Sequence, residues 1–171
     1  MKYAKTNNLA KSPKGNRTAD SGIDFFVPDD WNNGKEKVLR LGEQVNIALD
    51  IKTRFKPIQS LIFMNKSGVA LKKGLTVGAQ VIDFSYTGIV HANMFKVVKG
   101  TEDIRVRKRG FLGILGFKEW ATVIHPGEKI VQGILFNIST ESINEIKESV
   151  YNKNYKSDRG TKGFGEGTGQ K

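Results

Sequence analysis

Asp83 closes the apolar run Val81-Ile82, with Tyr86 three residues later and Gly88 two after that. A carboxylate at the end of an apolar strand has the chemistry of a general base for water. The commoner role for such a residue is to cap a turn. Asp24 sits in a second apolar run, after Gly22-Ile23. There a carboxylate either faces solvent or orients water around a hard cation. Ser67-Gly68, after Asn65-Lys66, makes either a small anion-binding loop or a tight turn. Near the C-terminus, Gly163-Phe164-Gly165-Glu166-Gly167-Thr168-Gly169 lets backbone N–H groups approach phosphates, with Arg159 and Lys162 adding charge. Neither Lys-Ser nor Lys-Thr follows those glycines, so they are no Walker A loop. The absence of Cys excludes a disulfide scaffold, a thiolate zinc site and a Cys nucleophile. His91 and His125 are too few for a His-based metal cage and read as structural.

The elements that must position these groups are mostly strands. A chain of 171 residues, 38% of them hydrophobic, can form one domain with a real core. Val45, Ile47, Leu49 and Ile51 alternate with polar or small residues, the period of a half-buried strand. Residues 23–27, 38–41, 61–64, 88–98, 120–124 and 130–138 are further β-rich runs, separated by turn signals such as Asn32-Asn33-Gly34, Lys72-Lys73-Gly74 and Pro126-Gly127. Many short strands with regular turns predict an all-β sandwich or barrel. One short helix is expected near 140–151, where Ile143, Ile146 and Val150 have helical spacing and Ser142 with Glu145 forms a capping box. Residues 1–18 read as a loosely ordered basic extension, 19–151 as the body, and 152–171 as a Gly-rich arm. No apolar run reaches the roughly 20 residues of a membrane-spanning helix. The opening MKYAKTNNLAKSPKGNR has no apolar core, so a soluble intracellular protein is expected.

The 28 Lys plus Arg exceed the 17 Asp plus Glu by 11. Such an excess invites a nucleic-acid partner, but its distribution is uneven. Residues 1–18 carry +5 and residues 99–118 carry +4, whereas the long stretch 19–98 carries only +2.

Taken together and in order, five short motifs resemble the trimeric deoxyuridine triphosphatase (dUTPase) family. They are Ala19-Asp20-Ser21-Gly22-Ile23-Asp24-Phe25, Asn65-Lys66-Ser67-Gly68-Val69-Ala70, the stretch from Gly78-Ala79-Gln80-Val81-Ile82-Asp83 to Tyr86-Thr87-Gly88, Pro126-Gly127-Glu128-Lys129-Ile130-Val131-Gln132, and Arg159-Gly160-Thr161-Lys162-Gly163-Phe164-Gly165. The resemblance spans 19–169 and implies a distorted jelly-roll-like β-barrel, a homotrimer with C-terminal arm exchange, and Mg²⁺-dependent hydrolysis of dUTP to dUMP and pyrophosphate. It implies that Asp83 activates the attacking water and that Tyr86 packs under the deoxyribose, leaving no room for a 2′-hydroxyl. The hairpin with Gly78, Val81 and Ile82 would read uracil. Lys66, Ser67, Gly68 and Gln132 would hold phosphate oxygens. Asp24 would stand in the outer shell of Mg²⁺, through water. Arg159 would meet the terminal phosphates, and Gly163, Phe164 and Gly165 would close over the base.

Departures from the family pattern are Lys66 in place of Arg, which keeps the charge and loses the bidentate fork, Asn65 in place of Pro, Gln80 in place of Gly, and Ile23 in place of an aromatic. The connection from Asp83 to Gly127 is longer than the family's. Its surplus, about 99–119, is basic and then apolar, and reads as a β-hairpin extension, as a surface for a protein partner or nucleic acid, or as a membrane-touching loop; 1–18 offers a surface for a partner or nucleic acid. Two other functions fit the same fold: a nucleotide-responsive regulator acting through a partner, and a dCTP deaminase-type enzyme. A non-enzymatic nucleic-acid binder rests on the net charge alone. A cellular or a viral origin is compatible with these residues.

Overall fold

The computed structural model describes residues 1–15, 20–107, 118–139 and 143–155. Its elements, in chain order, are β1 (Lys2–Lys5), β2 (Lys14–Gly15), β3 (Ile23–Phe26), β4 (Lys37–Arg40), β5 (Gln44–Ala48), β6 (Ile51–Arg54), β7 (Gln59–Met64), α1 (Ser67–Lys73), β8 (Leu75–Val77), β9 (Val81–Asp83), β10 (His91–Lys96), β11 (Ile104–Arg107), β12 (Lys118–Ile124), β13 (Lys129–Asn137) and α2 (Glu148–Asn154). The fold is all-β and every strand pair is antiparallel, as the strand pattern and the jelly-roll expectation require. Sheets form in the orders β2-β3-β13-β7-β9, β5-β10-β8, β11-β12-β4 and β1-β6.

The five-stranded sheet places the chemistry. Side chains of directly opposed residues in an antiparallel ladder share a face. The pairs Phe25 with Val131, Gly133 with Phe63, and Leu61 with Ile82 therefore fix the inner face. Phe25, Leu61, Phe63 and Val131 are at most 1% exposed, and the Phe25 and Phe63 rings meet edge-to-face at 4.9 Å. The outer face follows by alternation: Asp24, Gln132 and Met64 at one end, Asp83 and Ser60 at the other.

Three readings of the sequence differ from the structure. The alternating run 45–51 is two strands, β5 and β6, because Asp50 turns the chain at φ 52°. Period-2 alternation continues across the break and hides it. Residues 1–15 are not loose: β1 pairs with β6, Ala10 is 2% exposed, and Lys11 holds Asp29 at 2.8 Å. The Asn7 carboxamide organises the connection, accepting the N–H groups of Leu9 and Ala10 and donating to Asp50.

The helix expected near 140–151 is also displaced. α2 runs from Glu148 to Asn154, with Lys147 at its N-cap and no side-chain cap. Glu145 lies outside it, and Ser142 is outside the described residues. Ile143 is fully exposed, and no residue of α2 is buried. Without an apolar surface under it, spacing alone does not hold a helix. Thr140–Lys171 forms a unit separate from Met1–Ser139. The arm residues Arg159, Gly163, Phe164 and Gly165 lie outside the described residues. Among the described residues, no helix is long and apolar enough to cross a membrane.

The segment read as an insertion begins as a hairpin: β11 pairs with β12, and β12 with β4. Residues 108–117 lie outside the described residues. At the foot of the hairpin, Lys96 and Asp103 have fully buried side chains. Lys96 Nζ donates to both oxygens of Asp103, at 2.8 and 2.6 Å, and to the carbonyls of Lys73 and Val98, both at 2.7 Å. Gly74 ends α1 at φ +60°, a left-handed cap, and a side chain there would strike the Val98 carbonyl. One buried ammonium thus ties the end of α1 to the start of the insertion.

Candidate active site

The first, second and fourth motifs converge at one end of the outer face. A polar cavity of about 370 Å³ is lined by Asp20, Ser21, Gly22, Asp24, Lys66, Gln132 and Ile134. Asp24 is 2% exposed, so it is neither a solvent-facing strand residue nor an unpaired acid. Its Oδ1 accepts from Lys66 at 2.9 Å and its Oδ2 from Lys129 at 2.8 Å. Burying a carboxylate is costly unless it is paired, and two ammonium groups provide the pairing here. Lys66 is the N-cap of α1; Ser67 and Gly68 open that helix. They are therefore not a tight turn, and first-turn N–H groups have no acceptor within the helix. Gln132 spans the cavity's upper edge, donating to the Asn65 carbonyl at 3.0 Å with its carboxamide against Gly22. Asn65, which replaces the family's Pro, accepts the Val77 N–H at 2.8 Å and pairs with Thr76.

The third motif stands elsewhere. A second cavity, of about 420 Å³, is lined by Asn46, Ala79, Val81, Ile82, Asp83, Tyr86, Val90, His91 and Asn93. β9 carries Val81, Ile82 and Asp83, and the chain then turns: the Tyr86 N–H donates to the Asp83 carbonyl at 3.1 Å. Tyr86 Oη donates to the Ile89 carbonyl at 3.0 Å, and its ring lies where a side chain at residue 88 would go. Gly88 is therefore required by the ring. Gly78 donates its N–H to the Asn93 carbonyl at 2.8 Å, fixing the hairpin stem beside the cavity. Gln80 is not among the lining residues; its carbonyl accepts the Phe63 N–H.

Asp83 and Gln132 do not meet within one chain. Asp83 opposes Ser60 and Gln132 opposes Met64, four residues apart on β7 and on opposite flanks of it. Strand geometry separates them by about 16 Å. Between the two cavities the outer face is apolar, with Ile62, Met64, Val81, Ile134 and Phe136. Val81 is 65% exposed and Phe136 46%.

Sequence reasoning missed several residues that line or adjoin the two cavities. Lys129, inside the fourth motif, is the second clamp on Asp24. Asn46, His91 and Asn93 line the Asp83 cavity, and Asn46 Nδ2 lies 3.1 Å from His91 Nδ1. His91 read as structural because nothing near it in sequence marks it; only the β5–β10 pairing brings it to Asn46. Among the described residues, no group of three or more His, Asp or Glu could hold a metal ion.

No family model matches the chain. It is 29% identical to a deoxyuridine 5'-triphosphate nucleotidohydrolase of Clostridium acetobutylicum over 96% of the chain and 94% of that protein. It is 28% identical to one of Yarrowia lipolytica over 96% and 87%. Among solved structures it is similar to a mutant dUTPase of Staphylococcus bacteriophage 80alpha determined with dUpNHpp, with a TM-score of 0.73, 20% identity, and coverage of 96% and 95%. Two curated relatives matched nearly end to end agree with the fold and with the order of the motifs: over almost its whole length the chain is similar to deoxyuridine triphosphatases.

Proposed function

We infer that the protein hydrolyses dUTP to dUMP and pyrophosphate. One observation carries the reading. The residues of the family motifs sort into two half-sites on one sheet face, a partly apolar one holding Asp83 and Tyr86 and a polar, lysine-bearing one holding Asp24, Lys66 and Gln132. The first suits a nucleoside and the second a triphosphate.

Asp83 is the general base. It takes a proton from the water whose oxygen bonds to the α-phosphorus, as the bond from that phosphorus to the bridging oxygen of the leaving pyrophosphate breaks. Tyr86, pinned through Ile89 and seated on Gly88, forms the wall against C2′ of the sugar. The hairpin of Gly78, Val81 and Ile82 faces the base. Lys66, Gln132 and the first-turn N–H groups of Ser67 and Gly68 bind phosphate oxygens. In that role the triphosphate competes with Asp24 for the Lys66 ammonium. The donor set suits a Mg²⁺ that arrives chelated by the phosphates, with Asp24 reaching it through water, and not one caged by the protein. When bound, Mg²⁺ neutralises triphosphate charge.

Because the half-sites are about 16 Å apart in one chain, a complete site requires Asp83 of one subunit beside the Gln132 end of another. The apolar strip between them is the surface that a homotrimer would cover. The arm residues Arg159, Gly163, Phe164 and Gly165 then close the site over phosphates and base.

A pyrophosphate-release assay over dUTP, dTTP, dCTP and UTP tests the function. Only dUTP should turn over, and Asp83→Asn should lower kcat by about 100-fold or more. Release of dUTP from dCTP would indicate the deaminase. Undiminished turnover in Asp83→Asn would remove Asp83 as the base.

A further inference from the structure

Away from both cavities, the ladder of β11 and β12 gathers like charge around one aromatic ring. Arg105 lies directly opposite Trp120, and Arg107 directly opposite Lys118. All four share one face of the ladder, since opposed side chains point the same way. Lys99 joins them from the preceding turn. Its Nζ is 3.7 Å from the centre of the Trp120 ring, and the Arg105 guanidinium carbon is 4.8 Å from it.

This arrangement works against the ladder's own stability. Like charges directly opposed across two strands are destabilising, and Arg107 with Lys118 is such a pair. The only acid in residues 104–119 is Glu119. It alternates to the opposite face and is already held by Arg40 at 2.7 Å. Among the described residues Lys99, Arg105, Arg107 and Lys118 form no ion pair. The repulsion is relieved when an anion with several charges lies along the row.

We propose that this face binds single-stranded nucleic acid, with phosphates on Lys99, Arg105, Arg107 and Lys118 and a base stacked on the Arg105–Trp120 pair. Alternate residues of a strand stand about 7 Å apart, so the row presents cations in steps along an extended backbone. A cationic track with an aromatic platform is the recurrent chemistry of sequence-tolerant single-strand binding. An anionic bilayer fits less well. Among the described residues of the β11–β12 ladder, Trp120 is the one large apolar side chain on this face, and Lys99 and Arg105 cover its ring.

The probe is a fluorescein-labelled 20-nucleotide oligothymidylate, titrated with the full chain at several salt concentrations. Trp31 and Trp120 are the chain's two tryptophans, so a Trp31→Phe background makes intrinsic fluorescence report on Trp120 alone. Binding should quench that fluorescence, and log K should fall linearly with log salt concentration. The triple variant Arg105→Gln, Arg107→Gln, Lys118→Gln should flatten the slope by about 2, since each phosphate left without its cation removes roughly 0.7. Arg105→Lys with Arg107→Lys should keep the slope and reduce the quench. A control removing the same charge elsewhere, Lys2→Gln, Lys5→Gln, Lys14→Gln, should leave the slope unchanged. Equal flattening by the control would overturn the proposal in favour of net charge. So would an oligonucleotide that binds without quenching Trp120. Sedimentation with phosphatidylserine vesicles that needs Arg105 and Arg107, in a protein that ignores oligothymidylate, would assign the face to membranes instead.

Discussion

Tyr86, proposed as the wall against a 2′-hydroxyl, is positioned by its backbone neighbours. The hydroxyl end of its ring is held by the Oη bond to Ile89 and lies in the space that a side chain at residue 88 would take. Tyr86→Phe keeps the ring and loses one exposed hydrogen bond, so dUTP should remain strongly preferred. Tyr86→Ala removes the wall, and the ratio of kcat/KM for dUTP to that for UTP should fall by about tenfold or more. A ratio unchanged in Tyr86→Ala would place the discrimination elsewhere. That Tyr86 and Asp83 stand side by side in one cavity was legible in the sequence because motif spacing is local. The state of Asp24 was not. Its burial and its two lysine partners come from residues 42 and 105 positions away, Lys66 and Lys129, and no local pattern encodes such a pairing.

Elements were legible where periodicity had something to pack against. The strands at 61–64, 120–124 and 130–138 were visible as apolar runs, and all have hydrogen-bonded sheet neighbours. The turn at Asp50 was hidden because alternation continues through it. The helix near 140–151 was overextended because Ile143 and Ile146 keep helical spacing with no core beneath them. The short helix α1 was missed because the sequence around Ser67-Gly68 looks like a turn. Yet α1 is held firmly at its end: Thr101 and Glu102 cap its last carbonyls, and Lys96 holds Lys73 and Val98. Removing one partner of a buried ion pair leaves an uncompensated charge, at a cost of about 3–5 kcal/mol. Asp103→Asn should lose stability of that order in chemical denaturation, whereas Lys72→Gln, whose partner Glu102 is exposed, should lose less than about 1 kcal/mol. Similar losses in the two variants would show that the buried pair contributes nothing special.

At the scale of the molecule, the outer sheet face separates two half-sites by an apolar strip, and the net charge of +11 sits mainly outside both. If the chain is a homotrimer, as proposed, and each site is shared between neighbouring subunits, defects in different half-sites can complement. Homotrimers of Asp83→Asn and of Gln132→Ala should each be nearly inactive. Unfolded together in equal amounts and refolded, random cyclic trimers leave about a quarter of the sites with both wild-type residues. Recovery of activity near that fraction is expected, and no recovery would confine each site to one chain. The buried pair before β11 decides how much of this segment the fold can lose. Lys96 ends β10 and Asp103 precedes β11, so neither is at home without the other. A chain that lost residues 99–119 in one step would bury an ammonium with no counter-charge, while one that lost only 108–117 would keep the clamp. The segment can therefore be shortened from its tip but not removed from its root unless Lys96 changes with it.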